Sequence, residues 1–279
     1  MTAVLLALLT AVVWGLANYL GPLLVRVHPL GAVLLAGQVV GVVGGAVLFA
    51  VDGGGAPDPR TAVFGVLSGL ANGLALLTFY KAAAIGPISV IAPIGATGGM
   101  VPVLVAVGLG ERPSLLQVVG IPLAVVGVAL AAARRAPQQG EIRVRGGVVM
   151  SLLAAVTFGT FLTLFAEASK DSPPAALLTS RVALLAGTAA VLLIARSSVR
   201  VPLRALPAVA LPGTLLLVGT AAYGIATGSG LVSVVSVLAT LNPVVTVGLA
   251  VVVLGERLAL RQQVGVATAL LGVILLAAG

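Results

Sequence analysis

One cation stands inside an apolar stretch of this chain. Arg181 falls about seven residues into the run 174–195, roughly 10 Å along a helix axis at 1.5 Å per residue. A guanidinium at that depth costs about 2.5–3.5 kcal/mol on insertion scales and normally faces a bundle interior or a wet cavity. Two readings follow. As a functional group it anchors a substrate carboxylate or phosphate, which guanidinium binds bidentately. As a structural group it snorkels to the interface or bonds backbone carbonyls.

Other polar side chains in apolar surroundings complete the candidate substrate-binding set: Trp14, Asn18, Gln38, Asn72, Tyr80, Tyr223 and Asn242. Trp14 and Asn18 are one helical turn apart and share a face. An aromatic ring beside an amide suits a cavity wall for a planar or amphipathic substrate; the competing reading is an interhelical hydrogen bond plus packing. Asn72 and Tyr80 lie roughly on one side of the third run, while Tyr80 and Tyr223 would equally suit an interfacial belt. Lys81 reads as snorkelling or as a cavity-facing ammonium. Pro93, Pro102 and Pro243 interrupt the fourth and ninth runs and free carbonyls of the preceding turn, so they read as hinge or site-lining positions.

Catalytic chemistry has no comparable seat. All seven acidic residues, Asp52, Asp58, Glu111, Glu141, Glu167, Asp171 and Glu256, fall in joints or at the ends of apolar runs, as does the lone His28. Proton relays in pumps usually rely on buried Asp, Glu or His. The sequence shows no metal-ligand constellation, no paired carboxylates and no nucleophile beside a base. With no cysteine, disulfide and thiol chemistry are excluded. No catalytic residue, metal or cofactor is expected.

The elements that must position these residues follow from composition. Apolar residues make up 60% of the chain and charged residues only 8%, with mean hydropathy +1.24. A soluble domain carries roughly 25% charged residues, so the solvent here is lipid. The net charge of +8 comes without any dense basic run interleaved with aromatics, which argues against nucleic acid. Apolar runs long enough for a hydrocarbon core of about 30 Å fall near 2–22, 30–51, 61–82, 86–109, 114–133, 146–168, 174–195, 205–225, 228–253 and 260–278. The first reads as a span and not as a cleaved signal peptide, since no basic residue precedes Arg26. Uninterrupted apolar runs exclude a barrel. Glycines at 37, 41 and 45, and at 65, 69 and 73, form ridges that let helices approach closely.

The chain also repeats itself. Residues 109–133 align without a gap on 254–278, with fourteen of 25 positions identical, and both segments open on Leu-Gly-Glu-Arg. Trp14-Gly15 matches Phe158-Gly159 at an offset of 144, and Gln38 matches Arg181 at 143, as Tyr80 matches Tyr223. The expected organisation is a first five-helix repeat over 1–133, a polar linker over 134–145 and a second repeat over 146–279. Five is odd, so the second copy must enter from the opposite side. This is the inverted-topology repeat of secondary transporters, whose site lies near the midplane. In the Leu-Gly-Glu-Arg joint, glycine is expected to close one helix, glutamate to start the next, and arginine to sit at the membrane edge.

The duplicated half, with "AVVWGLANYL", "FYKAAAIGPISVIAPI" and "LATLNPVVTVGLAVVVLGERLALRQQVGVATALLGVILL", resembles the EamA family of the drug/metabolite transporter superfamily. The resemblance implies an all-α membrane protein of ten helices that exports a small metabolite, often an amino acid or related compound. The first half departs from the pattern, carrying Gly98-Gly99 where the second has Asn242-Pro243. Sorting Lys and Arg by joint gives eleven on the face of the central joint against three on the other, which places both termini outside the cytoplasm; the resemblance implies the reverse. The expected protein is a multi-pass carrier in the cell (inner or plasma) membrane, working by alternating access as a monomer or weak homodimer. Its partners are a small-molecule substrate and the lipid bilayer. The competing readings are a membrane assembly subunit or lipid-modifying enzyme, and a channel, which would need polar rings the sequence lacks.

Overall fold

The computed structural model describes residues 1–25, 27–85, 94, 95, 97–132, 141–254 and 259–279. The described secondary structure is helical throughout. In chain order the helices are α1 (Thr2–Val25), α2 (Leu30–Val51), α3 (Pro59–Ile85), a 3-10 turn at Thr97–Gly99 leading into α4 (Met100–Gly108), α5 (Leu115–Ala132), α6 (Glu141–Ala168), α7 (Pro173–Ile194), α8 (Leu206–Ser229), α9 (Val232–Ala239), α10 (Asn242–Leu254) and α11 (Leu260–Ala278). Six of these stretches are long and apolar enough to cross a membrane, and four shorter apolar ones accompany them. They follow the expected runs in order; of the fourth, residues 86–93 and 96 lie outside the described residues. α8 runs on to Ser229, beyond the expected end at 225. The ninth run is two helices, because the backbone turns at Thr240-Leu241. Pro102 and Pro243 each stand in the first turn after such a break, where a missing N–H leaves no helix bond unmade.

Along α1 mostly small side chains face the interior. α1 turns Ala3, Ala7, Ala11 and Trp14 inward while Leu5, Leu9 and Val12 face out. Lipid is as apolar as leucine, so burying large side chains gains little, and close contact between backbones holds helices together instead. Both glycine ridges serve this. Gly37 lies against Gly213 of α8, Gly41 against the Arg181 side chain and Gly45 against Leu178 of α7. Gly65 and Gly69 lie against Thr179 and Ser180 of α7, and Gly73 faces Leu184.

Contacts between the two halves come in exchanged pairs. Gly127 lies against Ala269, and Gly272 against Ala124, each residue 145 positions from its counterpart. Gly15 meets Asn242 and Val245, as Gly159 meets Gly98 and Val101 at an offset of 144. Gly69 meets Ser180, as Gly213 meets Gly37. Whole helices follow the same rule: α1 packs on α8 as α6 packs on α3, and α2 on α8 as α7 on α3.

The joints meet by parity, as alternating crossings require. Gly230, between α8 and α9, lies against Ala3 at the start of α1, and Gly279 lies against Ser114 at the start of α5. Arg60 in the first turn of α3 pairs with Glu167 at the end of α6, which Lys170 also holds at 2.7 Å. On the other face, a Cβ at Gly31 would sit 2.7 Å from the Ser198 carbonyl oxygen, joining the start of α2 to the chain after α7.

The Leu-Gly-Glu-Arg joint departs from expectation at its glutamate. Gly110 adopts φ +102° and ends α4, with the Glu111 N–H donating to the Ala106 carbonyl at 2.9 Å. Glu111 does not start α5. Ser114 does: its N–H donates to Gln117 Oε1 at 2.9 Å, and Ser114 Oγ accepts from the Gln117 N–H at 3.3 Å. With that first turn already capped, the Glu111 carboxylate reaches α9 instead, where it accepts the N–H groups of Val232 and Ser233. The second copy, Glu256-Arg257, lies outside the described residues.

Candidate functional site

α7 carries the buried cation. The helix starts from Ser172, whose Oγ accepts the Ala175 N–H at 3.3 Å, followed by two prolines that suit a first turn. Two turns later Arg181 is buried between α2 and α8. Its Nη2 donates to the Leu216 carbonyl at 2.8 Å and to Thr220 Oγ1, which also donates to that carbonyl at 2.7 Å. Gly41 makes room: a Cβ there would lie 3.1 Å from Arg181 Cδ. No carboxylate pairs with this guanidinium among the described residues. On the facing helix Gln38 is buried, and its Oε1 has no hydrogen-bond partner among the described residues. Gln38 and Arg181 are repeat counterparts on helices that pack together.

An aromatic cluster also packs on α8, along the stripe that carries Leu216 and Thr220. The Trp14 ring lies 6.0 Å from Phe158, edge-on at 62°, 6.5 Å from Phe161 and 6.1 Å from Tyr223. Phe165 joins through Phe161 at 5.8 Å and Tyr223 at 6.2 Å. Trp14 and Phe158 are repeat counterparts, so this matched pair meets between the halves. Gly219 lets the indole approach α8; a Cβ there would sit 2.6 Å from Trp14 Nε1, a donor with no hydrogen-bond partner among the described residues. Tyr223 is fully buried, not interfacial. Its hydroxyl donates to the Leu162 carbonyl at 3.1 Å and meets Ser236 Oγ at 2.8 Å.

Asn18 and Asn242 form the third polar group. Asn18 Nδ2 donates to Asn242 Oδ1 at 3.1 Å, and Asn242 Nδ2 donates to the Ala239 carbonyl at 3.4 Å. The side chain at the start of α10 thus braces the end of α9 and ties the break to α1. Asn18 is exposed whereas Asn242 is buried. Asn72 is half-buried on α3. Pro93 and the side chains of Tyr80 and Lys81 lie outside the described residues.

Of the expected residues, the structure joins Trp14 to Tyr223 and Asn18 to Asn242, while Arg181 packs on Gly41 of the helix that carries Gln38. Arg181 bonds Leu216 and Thr220 of α8, while Trp14 packs on Gly219 and Tyr223 of the same face of that helix. Thr220 and Ser236 were not expected in the site. Each lies in an apolar helix where a hydroxyl reads as a local bond to the preceding turn, and nothing in its sequence spacing points to a partner on another helix.

The sequence model of the EamA-like transporter family matches this chain twice, over residues 1–133 and 145–278. The chain belongs to the EamA-like transporter family. The match covers both halves, and family members are transporters rather than enzymes. The same fold is seen in a solved structure titled "Crystal structure of protein", which aligns with a TM-score of 0.80 and 18% identity over 98% of this chain and 95% of that one. A comparison with curated proteins finds no match. This EamA-like chain is thus a multi-pass membrane transporter. Among the described residues no three His, Cys, Asp or Glu side chains come together as a metal site.

Proposed function

We propose that this transporter is a secondary carrier for a small polar metabolite, an amino acid or related compound, and that it works by alternating access between two five-helix repeats of inverted topology, 1–133 and 146–279, joined by the linker 134–145. The observation that carries this reading is the exchange of contacts between the halves. If each half can take the shape now held by the other, the swapped arrangement has the same set of contacts and similar energy, but opens to the opposite face. Five crossings per half put the exchange axis in the membrane plane, close to the counterpart pairs Gln38–Arg181 and Trp14–Phe158. The breaks before Pro102 and Pro243 supply the hinges, with Pro93 in the same role.

In this reading Arg181 and Gln38 take the charged end of the substrate. An unpaired acceptor at Gln38 Oε1 suits an ammonium, and the guanidinium suits a carboxylate. Trp14, Asn18, Asn72, Tyr80, Tyr223 and Asn242 line the remainder. We place the carrier in the cell (inner or plasma) membrane as a monomer or weak homodimer, exporting its substrate as the resemblance implies. Uptake by proteoliposomes holding the purified protein tests the proposal, with a panel of amino acids, nucleobases and sugars. Arg181→Ala is expected to abolish transport of an anionic substrate while the melting transition persists. Unchanged transport would remove Arg181 from the site, and a panel with no saturable uptake would refute the carrier.

A further inference from the structure

The start of α9 is held by a group from the other half of the chain. Its N-cap residue is Leu231, which offers no side-chain acceptor. Glu111 Oε1 accepts the Val232 N–H at 2.6 Å, and Oε2 accepts the Ser233 N–H at 3.0 Å. One carboxylate thus satisfies two of the orphan donors of α9 and sits at the positive end of its dipole. Glu111 is itself fixed by the Gly110 turn that ends α4. Beneath the carboxylate every residue from Ser233 to Ala239 is buried, and the Ser233 hydroxyl has no hydrogen-bond partner among the described residues. α9 lies against α1, α4 and α8, so it sits where the two halves meet.

We propose that Glu111 is a latch residue of the transport cycle: it pins the start of α9 to the α4–α5 joint, keeps this face closed, and must release those two N–H groups before the face can open. The proposal rests on the carrier reading, since a face needs to open only if something passes. A plain helix cap would stabilise α9 in the same way without governing access, and this is the alternative to be separated.

The chain has no cysteine, so Ser233→Cys provides a single, nearly isosteric thiol beneath the carboxylate. Its labelling by a membrane-impermeant maleimide in proteoliposomes reads access directly. Adding Glu111→Gln is expected to speed labelling by about tenfold to a hundredfold, the range set by one charge-assisted hydrogen bond. Adding Leu231→Asn as well supplies α9 with its own cap. It is expected to restore the melting temperature while labelling stays fast. Labelling unaffected by Glu111→Gln overturns the latch, and so does a Leu231→Asn variant that restores protection together with melting. Should Glu111→Gln fail to fold, Glu111→Asp keeps the charge but loses reach; it must also speed labelling, and unchanged labelling again overturns the proposal. Labelling needs no substrate, so its outcome and that of the uptake assay are read separately.

Discussion

Replacing Thr220 by valine removes one acceptor from a buried guanidinium while keeping the side-chain shape. Arg181 Nη2 now shares its donors between Thr220 Oγ1 and the Leu216 carbonyl at 2.8 Å. A hydrogen bond to a charged group is worth about 1.5–3 kcal/mol, whereas polar contacts between membrane helices average only about 0.6 with a ceiling near 1.7. The Leu216 carbonyl remains, so a loss of about 1–1.5 kcal/mol is expected, enough to lower the melting temperature by a few degrees. The same change frees a donor. If Arg181 anchors the substrate, the competition from Thr220 disappears and a carboxylate binds up to about tenfold tighter, since 1.4 kcal/mol is a factor of ten. Equilibrium binding of glutamate and glutamine to the purified protein, with melting followed in parallel, reads both effects. Lower melting with unchanged glutamate affinity would refute the anchor and leave Arg181 as a cross-brace between α7 and α8.

Two further outcomes follow from the geometry. Gly127→Val and Gly272→Val occupy exchanged contacts, against Ala269 and Ala124, so each should destabilise the fold by about 1–3 kcal/mol or more and to a similar extent, whereas Gly187→Val, which meets open space, should not; thermal melts of the three variants check this. Tyr223→Phe removes a hydroxyl held by Leu162 and Ser236 but keeps the ring in its cluster. It should cost about 1–2 kcal/mol of stability through the hydrogen bonds lost at Leu162 and Ser236, as thermal melts would show.

Much of the architecture is a local property and was legible in the sequence. A span is a run of apolar residues long enough for the hydrocarbon core, so α2 and α11 were placed to the residue and α7 to within one. Glycine ridges at four-residue spacing announce a close approach whatever the partner, and the ridges on α2 and α3 both make one. The repeat was readable because offsets of 143 to 145 recur along the whole chain. The break in the ninth run was legible only in part: Pro243 marks its neighbourhood, but the turn falls at Thr240-Leu241, where Asn242 bonds back to Ala239 and across to Asn18.

What the sequence alone determined, then, was how many apolar segments there are, that they come as two related sets, and which polar residues lie among them. Tertiary structure decided the partners. Glu111 caps a helix 121 residues away and not the one that follows it, because Ser114 and Gln117 already cap that one. Arg181 bonds Thr220 across 39 positions, and the adjacent Gly219 receives the Trp14 ring. The physical reason is the solvent. In lipid a buried polar group has no water to fall back on, so it takes whatever donor or acceptor the neighbouring helix presents, and only the assembled bundle brings that neighbour within reach.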